Sequence, residues 1–274
     1  RVTEVLVCDE RGEEALGKPV GVYLTLDAPS LAKKDEDYHR EVSEELSGLL
    51  RGMFVDHGLE AERMERPVRT LVVGLGNPEA TPDALGPKVL EHLQATRHLE
   101  LEYGVDFCRK HGYPVLSGIT PGVMAQTGME TCDIIKKIVS EGGFDYILVI
   151  DSLCSRHTER LCHTIQVTDT GISPGAGIGN VRKEINERIM GIPVIAIGVP
   201  TVVSMATVAY DCIEETLLGQ GFSQEETDIF LRQMSNEKYS GLFVTPKDID
   251  EQIFFIGKAI AGGLNSALNS IILN

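Results

Sequence analysis

Two aspartates stand where an α/β chain delivers reactive groups. Asp83 lies in Leu71-Val-Val-Gly-Leu-Gly-Asn-Pro-Glu-Ala-Thr-Pro-Asp83, and Asp151 closes the run Phe144-Asp-Tyr-Ile-Leu-Val-Ile-Asp151. Each follows an apolar stretch that reads as a buried parallel strand, and the loops at the carboxyl ends of such strands are where open α/β sheets place their sites. A carboxylate there is costly unless it is paired, metal-bound or hydrogen-bonded, so Asp151 calls for a partner. Asp83 has a plainer reading beside the chemical one. Thr81 could cap a helix with Pro82 in its first turn, and Asp83 would then complement the helix dipole. If the two carboxylates face each other, they form an acid–base pair in which one activates water and the other donates a proton. A helix N-terminus would favour the charged form of Asp83, which makes it the base and Asp151 the acid.

Around this pair are weaker signals. Gly74-Leu-Gly-Asn77 lacks the third glycine of a dinucleotide fingerprint and has no Gly-Lys-Ser/Thr, so it reads first as a tight turn, with Asn77 bonding backbone groups or acting directly. Thr168-Asp-Thr-Gly-Ile-Ser-Pro-Gly-Ala-Gly-Ile-Gly-Asn180 is the segment richest in glycine, and such density marks backbone that approaches something closely. His157 and His163 flank Cys162 without a zinc signature, and Cys154 has no His-Asn set, so both read as structural. Arg156, Arg160, Arg182 and Lys183 could meet an acidic side chain or pair with surface acids.

The elements that must carry these residues follow from periodicity. Residues 1 to 27 alternate as a hairpin joined by a turn around Gly12 to Gly17, and residues 37 to 57 form an amphipathic helix stopped by Gly58. Strands are expected at 70–75, 146–150, 164–168 and 192–198. Helices are expected at 83–96, 131–140, 184–190, 202–219 and 222–234. A last helix would be capped by Thr245, with Pro246 in its first turn. The alternation implies an α/β fold with a mostly parallel sheet flanked by helices, phosphorylase/hydrolase-like. Residues 1–274 form one domain, in which 1–66 are an N-terminal hairpin and helix elaboration packed on the core.

Composition narrows the classes. The chain has 274 residues and a formal charge of −16, and no basic pair extends into a patch, which disfavours nucleic acid. Its six cysteines are irregularly spaced with no Cys-x-x-Cys, as expected of reduced thiols in a cytosolic protein. With no signal-like start and no long apolar run, the expectation is a protein neither secreted nor membrane-spanning.

An ordered set of segments resembles the germination protease (spore protease) family of spore-forming bacteria. They include Gly74-Leu-Gly-Asn77, Thr81-Pro-Asp-Ala-Leu-Gly-Pro87, Thr96-Arg-His-Leu99, Pro121-Gly-Val-Met124 and Thr127-Gly-Met-Glu-Thr131. Asp151-Ser-Leu-Cys-Ser-Arg156, Pro174-Gly-Ala-Gly-Ile-Gly-Asn180, Ile192-Pro-Val-Ile-Ala-Ile-Gly-Val-Pro-Thr-Val-Val203 and Val244-Thr-Pro-Lys-Asp-Ile-Asp250 continue it. The resemblance implies an atypical aspartic endopeptidase of the spore-core cytoplasm that degrades small acid-soluble spore proteins on germination. It also implies a homotetramer made as a zymogen that trims its N-terminus, and a chain starting at Arg1 without Met would suit the trimmed form. By motif position the catalytic pair is Asp83 and Asp151. Asn77, Arg156, Asp169, Gly175, Gly177 and Asn180 are the candidate substrate-binding or site-supporting residues.

No metal or other cofactor is expected. Three other readings compete. Hydrogenase-maturation endopeptidases share the Gly-x-Gly-Asn turn and strand-end Asp, and in their pattern Asp83 and Asp151 would hold a divalent metal, with His157 a conceivable third ligand. Peptidyl-tRNA hydrolase shares Gly-Leu-Gly-Asn-Pro and Thr-Arg-His, but the spacing from Asn77 to Thr96 and the Leu99 after the histidine do not fit. A catalytically silent homologue could use the glycine loop to hold an extended peptide.

Overall fold

The computed structural model describes residues 1–59, 66–179, 182–233 and 241–270. The chain opens with β1 (Val2–Val7), α1 (Glu10–Leu16), β2 (Gly21–Asp27) and α2 (Glu36–Asp56). The centre holds β3 (Arg69–Gly74), α3 (Leu85–Glu91), α4 (Arg97–Tyr103), α5 (Val105–His111), β4 (Val115–Ile119), α6 (Met124–Thr127), α7 (Thr131–Gly142) and β5 (Tyr146–Ser155). There follow β6 (Thr164–Thr168), α8 (Glu187–Met190), β7 (Val194–Ser204), α9 (Met205–Gly219), α10 (Gln224–Gln233), β8 (Phe243–Val244) and α11 (Ile249–Ser270).

The strands form an eight-stranded sheet in the order β1-β2-β6-β7-β5-β3-β4, with β8 added to the end of β7. β7, β5, β3 and β4 run parallel, while β6, β2 and β1 continue the sheet antiparallel. The expected α/β fold with helices on both faces is therefore present. The expected hairpin is present too, and β2 joins it to the core by pairing with β6.

Alternation along β5 explains the two layers. Tyr146, Leu148 and Ile150 point into a core with Leu46, Leu50 and Phe54 of α2, Leu85 and Val89 of α3, and Ile253, Ile256 and Ile260 of α11. Ile147 and Val149 point the other way, onto Cys132, Ile135 and Val139 of α7 and onto Ile185. In α2 and α11 small residues allow near contact of the helices: a Cβ on Gly262 would lie 2.9 Å from Ser43 Oγ, and that hydroxyl donates to the Ala259 carbonyl at 2.7 Å.

Several elements differ from expectation for local reasons. The β1–β2 connection is the helix α1, built from good helix formers, capped by Asp9 on the Gly12 amide and stopped by Gly17 at φ 61°. The expected helix 83–96 ends at Glu91, because Thr96 is tied to the next strand: its amide donates to the Leu116 carbonyl and its hydroxyl to Pro114. That strand, β4, follows Tyr113-Pro114 and was not anticipated, nor was α5. β7 runs through Pro200 as far as Ser204, so α9 starts later than 202. The residues at 184–190 yield only the short α8, capped by Asn186 on the Ile189 amide. α11 starts at Ile249, and the Thr245 hydroxyl, expected to cap it, donates instead to the Thr201 carbonyl. The expected end of the helix at Met234 lies outside the described residues. Among the described residues, no helix is long and apolar enough to cross a membrane.

Candidate active site

The site is built at the carboxyl ends of β3 and β5. The two strands are in register from Thr70 opposite Tyr146 to Gly74 opposite Ile150, and the Leu75 amide extends the pairing onto the Ile150 carbonyl. Asp151 is therefore the first residue of β5 beyond β3, and on its other side it stands opposite Gly198 of β7. Only 6% of Asp151 is exposed.

Asp83 reaches the same place from a different direction. After β3 the chain turns at Gly76, whose φ of 109° suits glycine, and returns through a short 3₁₀ turn, Thr81–Asp83. The turn is tightly held: the Asn77 amide donates to Asp83 Oδ2 at 2.8 Å, and a Cβ on Gly76 would sit 1.8 Å from the Asp83 carbonyl oxygen. The next contact is also backbone on backbone, since a Cβ on Gly74 would lie 2.5 Å from the Gly86 carbonyl oxygen. The glycines in Gly74-Leu-Gly76 are there so that loop and helix can close onto the strand. The anticipated Thr81 cap is absent: Ala80 precedes the turn with no side-chain cap, and α3 begins only at Leu85.

The electrostatics follow from this geometry. Burial, and secondly the neighbouring charge of Asp83, push the Asp151 carboxyl up to about 8, against the pull of the Ser152 amide, which donates to Oδ1 at 2.9 Å. Asp83 is also raised by burial, opposed by the Asn77 amide. The dipole reading expected Asp83 to hold its charge readily. In the folded protein desolvation works against that charge, and Asp151, being more deeply buried, is the stronger proton holder. Two carboxyl groups near enough for one to raise the other can share a proton at neutral pH.

Other residues singled out in the sequence take varied places. Asn77 supports the site through its amide, and its side-chain Oδ1 accepts from the Glu79 amide at 3.0 Å and from Gln126 Nε2 at 2.8 Å. Gly175 begins a 3₁₀ turn at φ 72°, and Gly177 lies against β5, where a Cβ would meet Cys154 Cβ at 2.8 Å. The glycine loop thus folds over the strand end that carries Asp151. Asp169 is engaged elsewhere: Oδ1 accepts from the Val22 amide at 2.8 Å, and Oδ2 lies 3.4 Å from His57 Nε2, so it ties the hairpin and α2 to β6. Arg156 is exposed just past β5, and after burial its positive charge and that of Arg160 help to lower the pKa of the Lys18 ammonium. Asn180 lies outside the described residues. Sequence reasoning missed Ser152, Gln126 and Thr201, whose hydroxyl donates to the Pro82 carbonyl at 2.6 Å. A proline inside an apolar strand, Pro200, was the available signal for the last of these.

Among the described residues, no three His, Cys, Asp or Glu gather as a metal site, and His157 faces Asp211, with Nδ1 3.8 Å from its carboxylate.

A family model described as germination protease, a peptidase, matches residues 1–240. The chain belongs to the germination protease family. Proteins named germination protease support this at nearly full length. The one from Clostridium tetani (strain Massachusetts / E88) is 42% identical over 283 residues, spanning 98% of this chain and 84% of that protein. The one from Caldanaerobacter subterraneus subsp. tengcongensis is 41% identical, with 98% and 84% covered, and the one from Bacillus pumilus 37%, with 99% and 83%. Among solved structures, the [NiFe] hydrogenase maturation protease HycI from Thermococcus kodakarensis KOD1 superposes with a TM-score of 0.36 at 13% identity, covering 82% of this chain and 99% of that one. Membership makes the chain a protease, and the alternatives of a different hydrolase class fall away.

Two outcomes follow from the geometry. Gly76→Ala forces a Cβ onto the Asp83 backbone at an unfavourable φ, so urea unfolding should show a loss of about 1–3 kcal/mol together with reduced activity. For Asp151 the folded carboxyl titrates near 8 against 3.8 for the free group, so its stabilising contribution is complete below pH about 4 and lost as pH rises through 8. Asp151→Asn lacks that loss. Urea unfolding from pH 5 to 8 should show the variant gaining on the parent by up to about 1.4 kcal/mol per pH unit.

Proposed function

We propose that the chain is an endopeptidase that begins the degradation of small acid-soluble spore proteins during germination, using Asp83 and Asp151 as an acid–base pair. One observation carries the reading: a deeply buried strand-end carboxyl, Asp151, and a second carboxyl, Asp83, meet at the carboxyl ends of β3 and β5, where burial and the charge of Asp83 favour the protonated form of Asp151. Membership in a germination protease family supports a protein substrate of the spore, and the glycine loop over β5 offers backbone to an extended peptide.

In the first step the Asp83 carboxylate takes a proton from water as its oxygen attacks the scissile carbonyl carbon, and Asp151 gives its proton to the carbonyl oxygen. In the second, the C–N bond breaks, Asp83 passes its proton to the leaving amine, and Asp151 regains one from the gem-diol hydroxyl. Both groups return to their starting state. Asp151 is the acid because it is the more deeply buried of the two, and Asp83 is the base. The protein works in this reading without a metal, as a homotetramer in the cytoplasm of the spore core.

Incubation with a small acid-soluble spore protein tests it. The parent should release discrete fragments, and Asp83→Asn and Asp151→Asn, still folded, should each lose about 10²–10⁴-fold in rate. The rate should fall as pH rises past about 8, where Asp151 loses its proton. A strong chelator should leave cleavage unchanged. Wild-type rates in the folded Asn variants sink the acid–base reading, and chelator sensitivity would move both aspartates to metal ligands.

A further inference from the structure

Just past Asp151 the β5–β7 ladder slips by one residue. Leu153 stands opposite Pro200 and Cys154 opposite Val202, so Thr201 is the extra residue of a bulge. Pro200 accounts for the location, because proline has no N–H to give a ladder and is confined to edges and bulges. Bulges next to sites re-aim a side chain, and here the re-aimed one is Thr201.

Thr201 is fully buried, at 0% exposure, in a β-branched strand where Val would fill nearly the same space. A buried hydroxyl is costly unless it is bonded. The Thr201 hydroxyl donates to the Pro82 carbonyl at 2.6 Å, and the Thr201 carbonyl accepts from Thr245 Oγ1 at 2.8 Å. Pro82 directly precedes Asp83 in the 3₁₀ turn. That turn is thus gripped from two sides. Its own loop holds Asp83 through the Asn77 amide, and β7, the strand aligned with Asp151 at Gly198, holds Pro82 through Thr201.

We propose that Thr201 is a positioning residue for the reaction, whose hydroxyl sets the place of Asp83 relative to Asp151, with Thr245 fixing the bulge from behind. The inference rests on the reading of those aspartates as the reacting pair. It assigns a role to the Pro200-Thr-Val-Val203 segment and to a threonine in the segment before the last helix.

Thr201→Val removes the donor and keeps the shape, while Thr201→Ser keeps the donor. With a small acid-soluble spore protein as substrate, Thr201→Val should lower kcat by about 10²-fold, leave KM and the melting temperature nearly unchanged, and displace the pH profile. Thr201→Ser should restore both kcat and profile. A ¹³C-carboxyl NMR titration should show Asp83 shifted in Thr201→Val, independently of turnover. Parent-like kcat and profile in Thr201→Val overturn the proposal, as does a Thr201→Ser variant as slow as Thr201→Val, since packing would then explain the loss. If Thr201→Val does not fold, Thr245→Val decides by the same readouts: a displaced profile supports the role, and an unchanged one overturns it. Asp83→Asn and Asp151→Asn run alongside keep the two ideas apart. Active Asn variants remove the pair and the proposal with it, whereas inactive Asn variants with a parent-like Thr201→Val remove only the latter.

Discussion

A carboxyl group at the end of a fully apolar strand must either keep its proton or find a cation. Asp151 follows Ile147-Leu-Val-Ile150, all at 0% exposure, and among the described residues no Lys, Arg or His side chain is bonded to it; one backbone amide and the nearby Asp83 charge are its polar neighbours. The proton is the cheaper solution, because ionising a buried acid beside a second negative charge costs more than neutrality. The rest of the site is arranged around that choice. In the proposed mechanism Asp83 must approach closely enough to share the proton, yet remain wet enough to ionise first.

Closeness of this kind is obtained with backbone rather than with side chains. Gly74 against Gly86 and Gly76 against Asp83 are contacts in which no side chain intervenes, so there is no flexible group to absorb an error. Behind them α3 packs on α11 in one continuous core with α2, and the heaviest helices of the molecule thereby back the loop that carries Asp83. The antiparallel half of the sheet has a different task. Asp169 and His57 secure the N-terminal hairpin and α2, placing the helix that α11 needs as a partner.

Much of this was legible in the sequence where the determining forces are local. The runs at 70–75 and 146–150 announced buried strands, and the strand-end position of Asp151 followed at once. The glycine pair in Gly74-Leu-Gly76 announced a turn. What stayed hidden depends on residues far apart in the chain. The break after Glu91 comes from Thr96 bonding Pro114 and Leu116, and the continuation of β7 past Pro200 comes from its pairing with β5 as far as Ser155 opposite Val203. The order of the two carboxyls was read from a helix dipole, whereas desolvation acts on both and most on the more deeply buried Asp151. Burial of a loop residue cannot be read from its neighbours in sequence.

The bulge at Thr201 also bears on when the protein becomes a protease. The groups that define the site come from the loop after β3, the end of β5, the middle of β7 and the approach to α11, and the last contact joins Thr245 to Thr201. Such a site has high contact order and is completed only when the C-terminal segment docks. A chain still leaving the ribosome, with both aspartates already made, has an incomplete clamp. In the proposed mechanism, competence is therefore a property of the finished fold, since the clamp on the Asp83 turn needs the segment before α11 as well as both aspartates.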